Sequence, residues 1–271
     1  MLGSRRQRLD ALRQRLAPFD RRPLLAAPEA EAGTAAFLAA PAGHVHEVFA
    51  DSPTEAGAAL GFALAQAQGL RREGRPGLVI AQLRGDAQEL GLPYGAGFAG
   101  FGLAAEAVTL IRAATIAELL WALEEALACR AVAAVVADLA RPHKALDFTA
   151  SRRLALRCAA SGGTVLLTRY GRAREASAAR YRWRVVPRPS RASPWDARAP
   201  GGPRWQITLE KGRLGVARPN DPNGQTYLVD WTENGFVLAA PRDSERPRLA
   251  GGAALPRALP AALGHRLSQT G

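Results

Sequence analysis

Lysine is nearly absent from this chain. It occurs only at Lys144 and Lys211, so almost all of the 36 basic residues are arginines. That usage follows genome composition and carries no mechanism. Cysteine is scarce as well. Cys129 and Cys158 are the only two, which excludes a disulfide framework and a four-thiolate zinc site and fits a reducing, cytoplasmic compartment. No run of 18 or more apolar residues occurs, so no membrane span is expected. Residues 1–22 lack the apolar core of a secretory signal. GxSxG, HExxH and a Cys-His-Asn set are all missing, which leaves nothing to argue for hydrolytic chemistry of those kinds. Histidine occurs four times. His44 and His46 share one strand face with no third ligand nearby, whereas His143 and His265 stand alone, so no metal site is expected.

What the chain does have is enough apolar residues for a core and a large excess of positive charge. At 271 residues with 48% hydrophobic and 22% charged, it can form one large domain with appendages or two small ones. The formal net charge is +12, and it is concentrated. Residues 1–22 hold seven arginines against Asp10 and Asp20, and residues 169–192 hold eight against Glu175 alone; the rest is neutral. Two basic segments on a neutral body point to a polyanion or an acidic partner, or else to a solvated arginine-rich surface.

Residues 4–16 read as a short helix striped by Leu9, Leu12 and Leu16. Prolines 18, 23 and 28 make a linker to about residue 40. Apolar runs at 44–50, 77–83, 107–112, 132–138 and 164–170 then alternate with helical patterns at 53–70, 85–103, 116–130 and 149–161. This alternation predicts an α/β fold with a mostly parallel sheet covered by helices. Thr115 with Glu118, and Ser52 with Glu55 and Pro53, are helix-start signals. Strand-like runs at 181–186, 204–209 and 226–231 are expected to add antiparallel strands at the edge. Residues 241–271, rich in Pro, Arg, Ala and Gly, form a flexible tail or one that orders on a partner. The expected organisation is thus 1–40, a core over 41–240, and 241–271.

Gly95, Gly97 and Gly100 match GxGxxG, but a polar segment precedes them where a dinucleotide site needs a buried strand. More informative is the first strand–turn–helix unit, the setting in which a phosphate-binding loop occurs. Ala50 and Glu55 stand at its two glycine positions, Ala56 at the lysine and Gly57 at the hydroxyl. Asp51 and Glu55 would also set negative charge against a phosphate at the helix start. An ordinary strand–helix turn is the alternative.

Five short segments, taken in order, decide between these. They are 46–49 (HEVF), 120–127 (LWALEEAL), 146–154 (LDFTASRRL), 177–185 (SAARYRWRV) and 202–205 (GPRW). Over about 35–240 the chain resembles the ImuA family, RecA-like accessory proteins of bacterial SOS mutagenesis cassettes. The resemblance implies a RecA-like fold with its phosphate loop lost. Asp138 would be the vestigial Walker B carboxylate, and Leu83 would stand where the catalytic glutamate belongs. It also implies no ATPase activity, no cofactor and a place in translesion synthesis beside an ImuB-like polymerase-related protein and an error-prone replicative-type DNA polymerase. A DNA-contacting loop after the 164–170 strand makes Arg169, Arg172, Arg174, Arg180 and Arg182 candidate DNA contacts. Trp195 and Trp205, or Leu259, Leu263 and Leu267 in the tail, are candidate partner contacts; an untethered tail is the alternative. A second function class, a SulA-type cell-division inhibitor that binds a filament-forming partner, shares the fold without needing the 169–192 arginines.

Overall fold

The computed structural model describes residues 38–193, 196, 198–214 and 226–239. The expected N-terminal helix, the linker and the tail lie outside them. Nine strands form one sheet in the order β3-β2-β4-β5-β1-β6-β7-β8-β9. They are β1 (Val45–Ala50), β2 (Gly77–Leu83), β3 (Val108–Ala113), β4 (Val132–Leu139), β5 (Thr164–Tyr170), β6 (Tyr181–Pro187), β7 (Arg204–Lys211), β8 (Thr226–Thr232) and β9 (Gly235–Leu238). The helices are α1 (Ala56–Leu70), α2 (Arg84–Leu90), α3 (Ile116–Ala128) and α4 (Phe148–Ser161). The mostly parallel sheet with antiparallel strands at one side is consistent with a RecA-like fold. Among the described residues no helix is long and apolar enough to cross a membrane.

The parallel part is buried because its strands are apolar on both faces, the composition such strands need. β1 is central, paired in parallel with β5 on one side and β6 on the other. The 181–186 run was expected to be antiparallel; β6 is parallel to β1 and antiparallel only to β7. It is therefore the seam between the two halves of the sheet. A two-residue turn at Glu233 and Asn234 adds β9, a strand of four residues that strand patterning does not anticipate.

Two hydrophobic layers cover the sheet. α1 is apolar on nearly every side and packs with Val48, Ile80, Val136, Leu166 and Trp183. Its Phe62 meets the rings of Trp183, Trp205 and Phe236 at 5.5–5.9 Å between centroids. Gly61 brings the helix close to these rings: a Cβ would lie 3.2 Å from Phe101 and 3.4 Å from Trp205, a tight fit that the rings would have to ease. On the other face Leu119, Leu123 and Leu127 of α3 and Leu154 and Cys158 of α4 pack on Val79, Val135 and Val165. The Thr115 cap is formed as its pattern predicts: Glu118 N donates to Thr115 Oγ1 at 3.2 Å, and Ala114 N donates to the Glu118 carboxylate at 2.8 Å.

The expected helix over 85–103 does not form as one piece. α2 stops at Leu90, Gly91 takes φ 83°, and a separate 3-10 turn runs Gly95–Phe101. The glycines of the GxGxxG match thus lie in a 3-10 turn with Phe98 buried beneath it.

His46 is fully buried in the α1 layer. Its ring stacks on Tyr181 at 4.7 Å, with Nε2 2.9 Å from Pro41 O and Nδ1 accepting from Trp183 Nε1 at 3.3 Å. Burial holds its pKa down to about 4. A depressed histidine pKa adds stability that is complete above the unfolded value of about 6.5 and is lost as pH falls towards 4. His46→Gln keeps an acceptor for Trp183 but cannot titrate. The variant should lose about 3 kcal/mol less than the wild type between pH 7 and pH 4, measured by urea denaturation at both. Parallel acid losses would show that His46 is not the titrating group.

Candidate functional site

The turn from β1 into α1 is short and satisfied by its own side chains. Ala50 closes the strand, and Pro53–Glu55 form a 3-10 turn capped by Ser52, whose Oγ accepts from Thr54 N at 3.2 Å. Asp51 N donates to Glu55 Oε2 at 3.2 Å, and Glu55 N donates to Ser52 O at 3.0 Å. The N–H groups of Asp51, Thr54 and Glu55 are therefore spent locally rather than left for a phosphate. Gly57 faces open space at its missing Cβ, so nothing in this turn demands a glycine. Asp51 does not stand as a free negative charge: Arg184 binds both its oxygens, at 3.1 Å and 2.5 Å, with Arg174 at 3.6 Å and Arg172 at 4.0 Å. The hydrogen bonds from Arg184 are the main cause of its lowered pKa.

Asp138, near the end of β4, is 2% exposed and accepts three hydrogen bonds. Its Oδ2 accepts from Gln82 Nε2 at 2.8 Å; its Oδ1 accepts from Thr168 Oγ1 and Tyr170 OH, each at 2.5 Å. The three donors come from β2 and β5, so the carboxylate ties the two neighbours of β4 together. Burial first, and the adjacent Asp138 charge second, push the Tyr170 hydroxyl pKa up. This arrangement can clamp three strands; it leaves no carboxylate oxygen facing solvent to hold a cation. Leu83, at the end of β2, is packed in the α3/α4 layer. Beside it Asp86 accepts from Ala140 N at 2.9 Å and lies 3.8 Å from His143 Nε2. Among the described residues no group of three His, Cys, Asp or Glu could hold a metal ion.

The densest arginine segment is largely paired inside the molecule. β6 alternates as a strand should, with Tyr181, Trp183 and Val185 in the α1 layer and Arg182 and Arg184 on the opposite face. There Glu47 of β1, with 1% of its side chain exposed, is gripped by two arginines. Arg169 Nη1 reaches its Oε1 at 3.0 Å, and Arg182 donates twice to its Oε2 at 2.9 and 2.7 Å. Arg169 also pairs with Glu175. Arg174 lies 4.1 Å over the Phe49 ring and binds Glu210 through two hydrogen bonds at 2.7 and 3.1 Å. Arg169, Arg174 and Arg182 were expected to face DNA; the structure places them instead in a network of ion pairs. Of the same five, Arg172 (88% of its side chain exposed) and Arg180 are open to solvent.

Trp205 is corrected as well. It is 2% exposed, inside the ring cluster around Phe62, and is not presented to a partner. Trp195, Leu259, Leu263 and Leu267 lie outside the described residues. The role of Glu47 was not anticipated from the sequence, although a carboxylate in a strand run whose one other polar residue is His46 was a visible signal that a cation is buried beside it.

No family model matches the chain. It is similar to two curated proteins, each called Protein ImuA, from Caulobacter vibrioides strains NA1000 / CB15N and ATCC 19089 / CIP 103742 / CB 15. Each is 40% identical over 132 residues, 45% of this chain and 52% of the relative. The chain thus spans about half the length of the curated relatives it matches, and over that stretch it is ImuA-like.

Proposed function

We propose that this ImuA-like chain is a non-catalytic, RecA-like adaptor of an SOS mutagenesis system. It keeps the strand order and helix layers of a nucleotide-driven motor and has lost the working phosphate loop. The observation that carries this reading is Asp138. A carboxylate that serves Mg²⁺ must offer a free oxygen to the metal, whereas this one accepts three protein hydrogen bonds. The turn at Glu55, Ala56 and Gly57, with no lysine and with the N–H groups of Asp51, Thr54 and Glu55 engaged, supports the same conclusion, because phosphoryl transfer depends on positioning and charge neutralisation by such groups. The likeness to ImuA supports the pathway. The proposed partners are an ImuB-like polymerase-related protein and an error-prone replicative-type DNA polymerase, with sequence-independent DNA contact through the exposed Arg172 and Arg180, in the cytoplasm at the nucleoid.

Two measurements on the full chain test it. Calorimetry with Mg·ATP should give no saturable heat; micromolar binding would overturn the non-catalytic half. Co-purification with a co-expressed ImuB-like polymerase-related protein should succeed; failure would overturn the adaptor half.

A further inference from the structure

One of three buried side-chain polar atoms without a hydrogen-bond partner in the described residues belongs to Arg75, at the amino-terminal edge of the parallel sheet, away from the β1–α1 turn. α3 and α4 both end there, and between their ends is a pocket of about 270 Å³ with Leu127 and Ala160 as apolar lining and Arg75, Arg130 and Arg157 around it. Arg75 is set by a tight turn in which Arg75 N donates to Arg72 O at 2.9 Å and Gly74 takes φ 78°. Its Nη2 donates to Ser161 O at the end of α4. Its Nη1 is buried and has no acceptor.

A buried N–H of a charged group without an acceptor is costly and rare. No carboxylate lines the pocket to relieve it. Arg130 has no hydrogen-bond or ion-pair partner among the described residues. Arg157 reaches Glu124 only at 3.8 Å, and that glutamate is already hydrogen-bonded to Arg153. Neutralising the helix ends does not account for three guanidiniums. Two helix C-termini carry together a charge of about −1, so about two positive charges remain, or about one if Glu124 is counted in full. Guanidinium groups match the tetrahedral oxygens of a phosphate, each able to present two parallel donors. The same edge continues the positive charge: Arg72 precedes β2 and Arg180 precedes β6, both exposed.

We propose that this pocket is a phosphate-binding site, in which the guanidiniums of Arg75, Arg130 and Arg157 hold the oxygens of one phosphate group. The site is distinct from the lost phosphate loop, which would lie at the opposite, carboxyl-terminal edge of the strands, and it does not depend on the adaptor reading. A free phosphate and a nucleic-acid phosphate present the same chemistry, and the experiment separates them.

The full chain is titrated with inorganic phosphate and pyrophosphate at constant ionic strength, and with an oligothymidine carrying or lacking a 5′-phosphate. The Arg130→Ala/Arg157→Ala double variant removes two ligands that cap no helix. The Arg172→Ala variant, at the opposite edge of the sheet, is the control for DNA contact elsewhere. Saturable phosphate or pyrophosphate binding is expected, weakened at least about tenfold in the first variant and unchanged in the second. Weakened oligonucleotide binding in the first variant assigns the pocket to a nucleic-acid phosphate, terminal if the effect needs the 5′-phosphate; an unaffected oligonucleotide assigns it to a free phosphate. Absence of saturable binding to either inorganic anion, or equal affinities in the wild type and a folded first variant, overturns the proposal. Loss of oligonucleotide binding confined to the second variant bears on the adaptor reading alone.

Discussion

Glu47→Ala should lower the folding stability of the chain by about 3–5 kcal/mol, the cost of removing one partner from a buried ion pair. The reason is what remains behind. Arg169, with 7% of its side chain exposed, would keep only Glu175, and Arg182 would keep only the Glu175 carbonyl and the Ser177 hydroxyl. Two guanidiniums would then sit against the Phe49 ring with their central carboxylate gone. Glu47→Gln keeps the shape and one acceptor oxygen and should cost less. The contrast is Asp51→Ala: its main partner Arg184 has 40% of its side chain exposed, so solvent screens the pair and the loss should stay within about 1 kcal/mol. Urea denaturation of the three variants checks the order. A Glu47→Ala loss below that of Asp51→Ala would mean that the arginines relax to solvent and that the network does not hold β1, β5 and β6 together.

The second large effect is at Asp138. Asp138→Ala removes the shared acceptor of Gln82 Nε2, Thr168 Oγ1 and Tyr170 OH in a buried site; Gln82 keeps Gly91 O at 3.3 Å and Thr168 can turn to Ala137 O at 3.5 Å. Tyr170 can still reach Thr168, 3.4 Å away, which recovers little. An orphaned buried donor costs about 1–3 kcal/mol, and partial rearrangement among the three brings the expected loss to about 2–4 kcal/mol. Thermal or urea unfolding gives the number. Binding of Mg·ATP should be absent before and after the change. A variant of unchanged stability that lost a measurable Mg²⁺ or nucleotide affinity would return Asp138 to the role of a metal ligand.

The legible parts of this sequence are those in which local pattern and final environment agree. Residues 132–138 are an unbroken apolar run ending in Asp138, and they became a strand buried on both faces. Residues 115–118 carry their own start signal, and α3 begins there. The helix over 85–103 was overread because the glycines and Pro93 that end it were outweighed by the leucines around them. β9 was too short for any period to register, although Asn234-Gly235 between Trp231 and Phe236 is a turn signal. The charge pattern was the least legible. It gave a basic segment correctly and its exposure wrongly, because the carboxylates that neutralise Arg169, Arg182 and Arg184 lie 122, 135 and 133 residues away along the chain. No local rule pairs residues at that separation; only the placement of β1 between β5 and β6 does so.

That placement also governs the order in which the molecule can assemble. β1 is the first of these strands to be synthesised and stays incomplete until β5 and β6 emerge, since Val45 waits for Val165 and His46 for Tyr181. At ordinary translation rates of 5–20 residues per second the interval is roughly 6–24 s. Throughout it the apolar strand and its charged Glu47 have neither neighbour, while β2, β3 and β4 already have one another. Such long-range closure is slow, and the nascent chain must be kept from pairing elsewhere until β5 emerges. Once β6 is in place, β7, β8 and β9 follow by successive antiparallel pairings between consecutive strands, so the sheet grows outward from its seam.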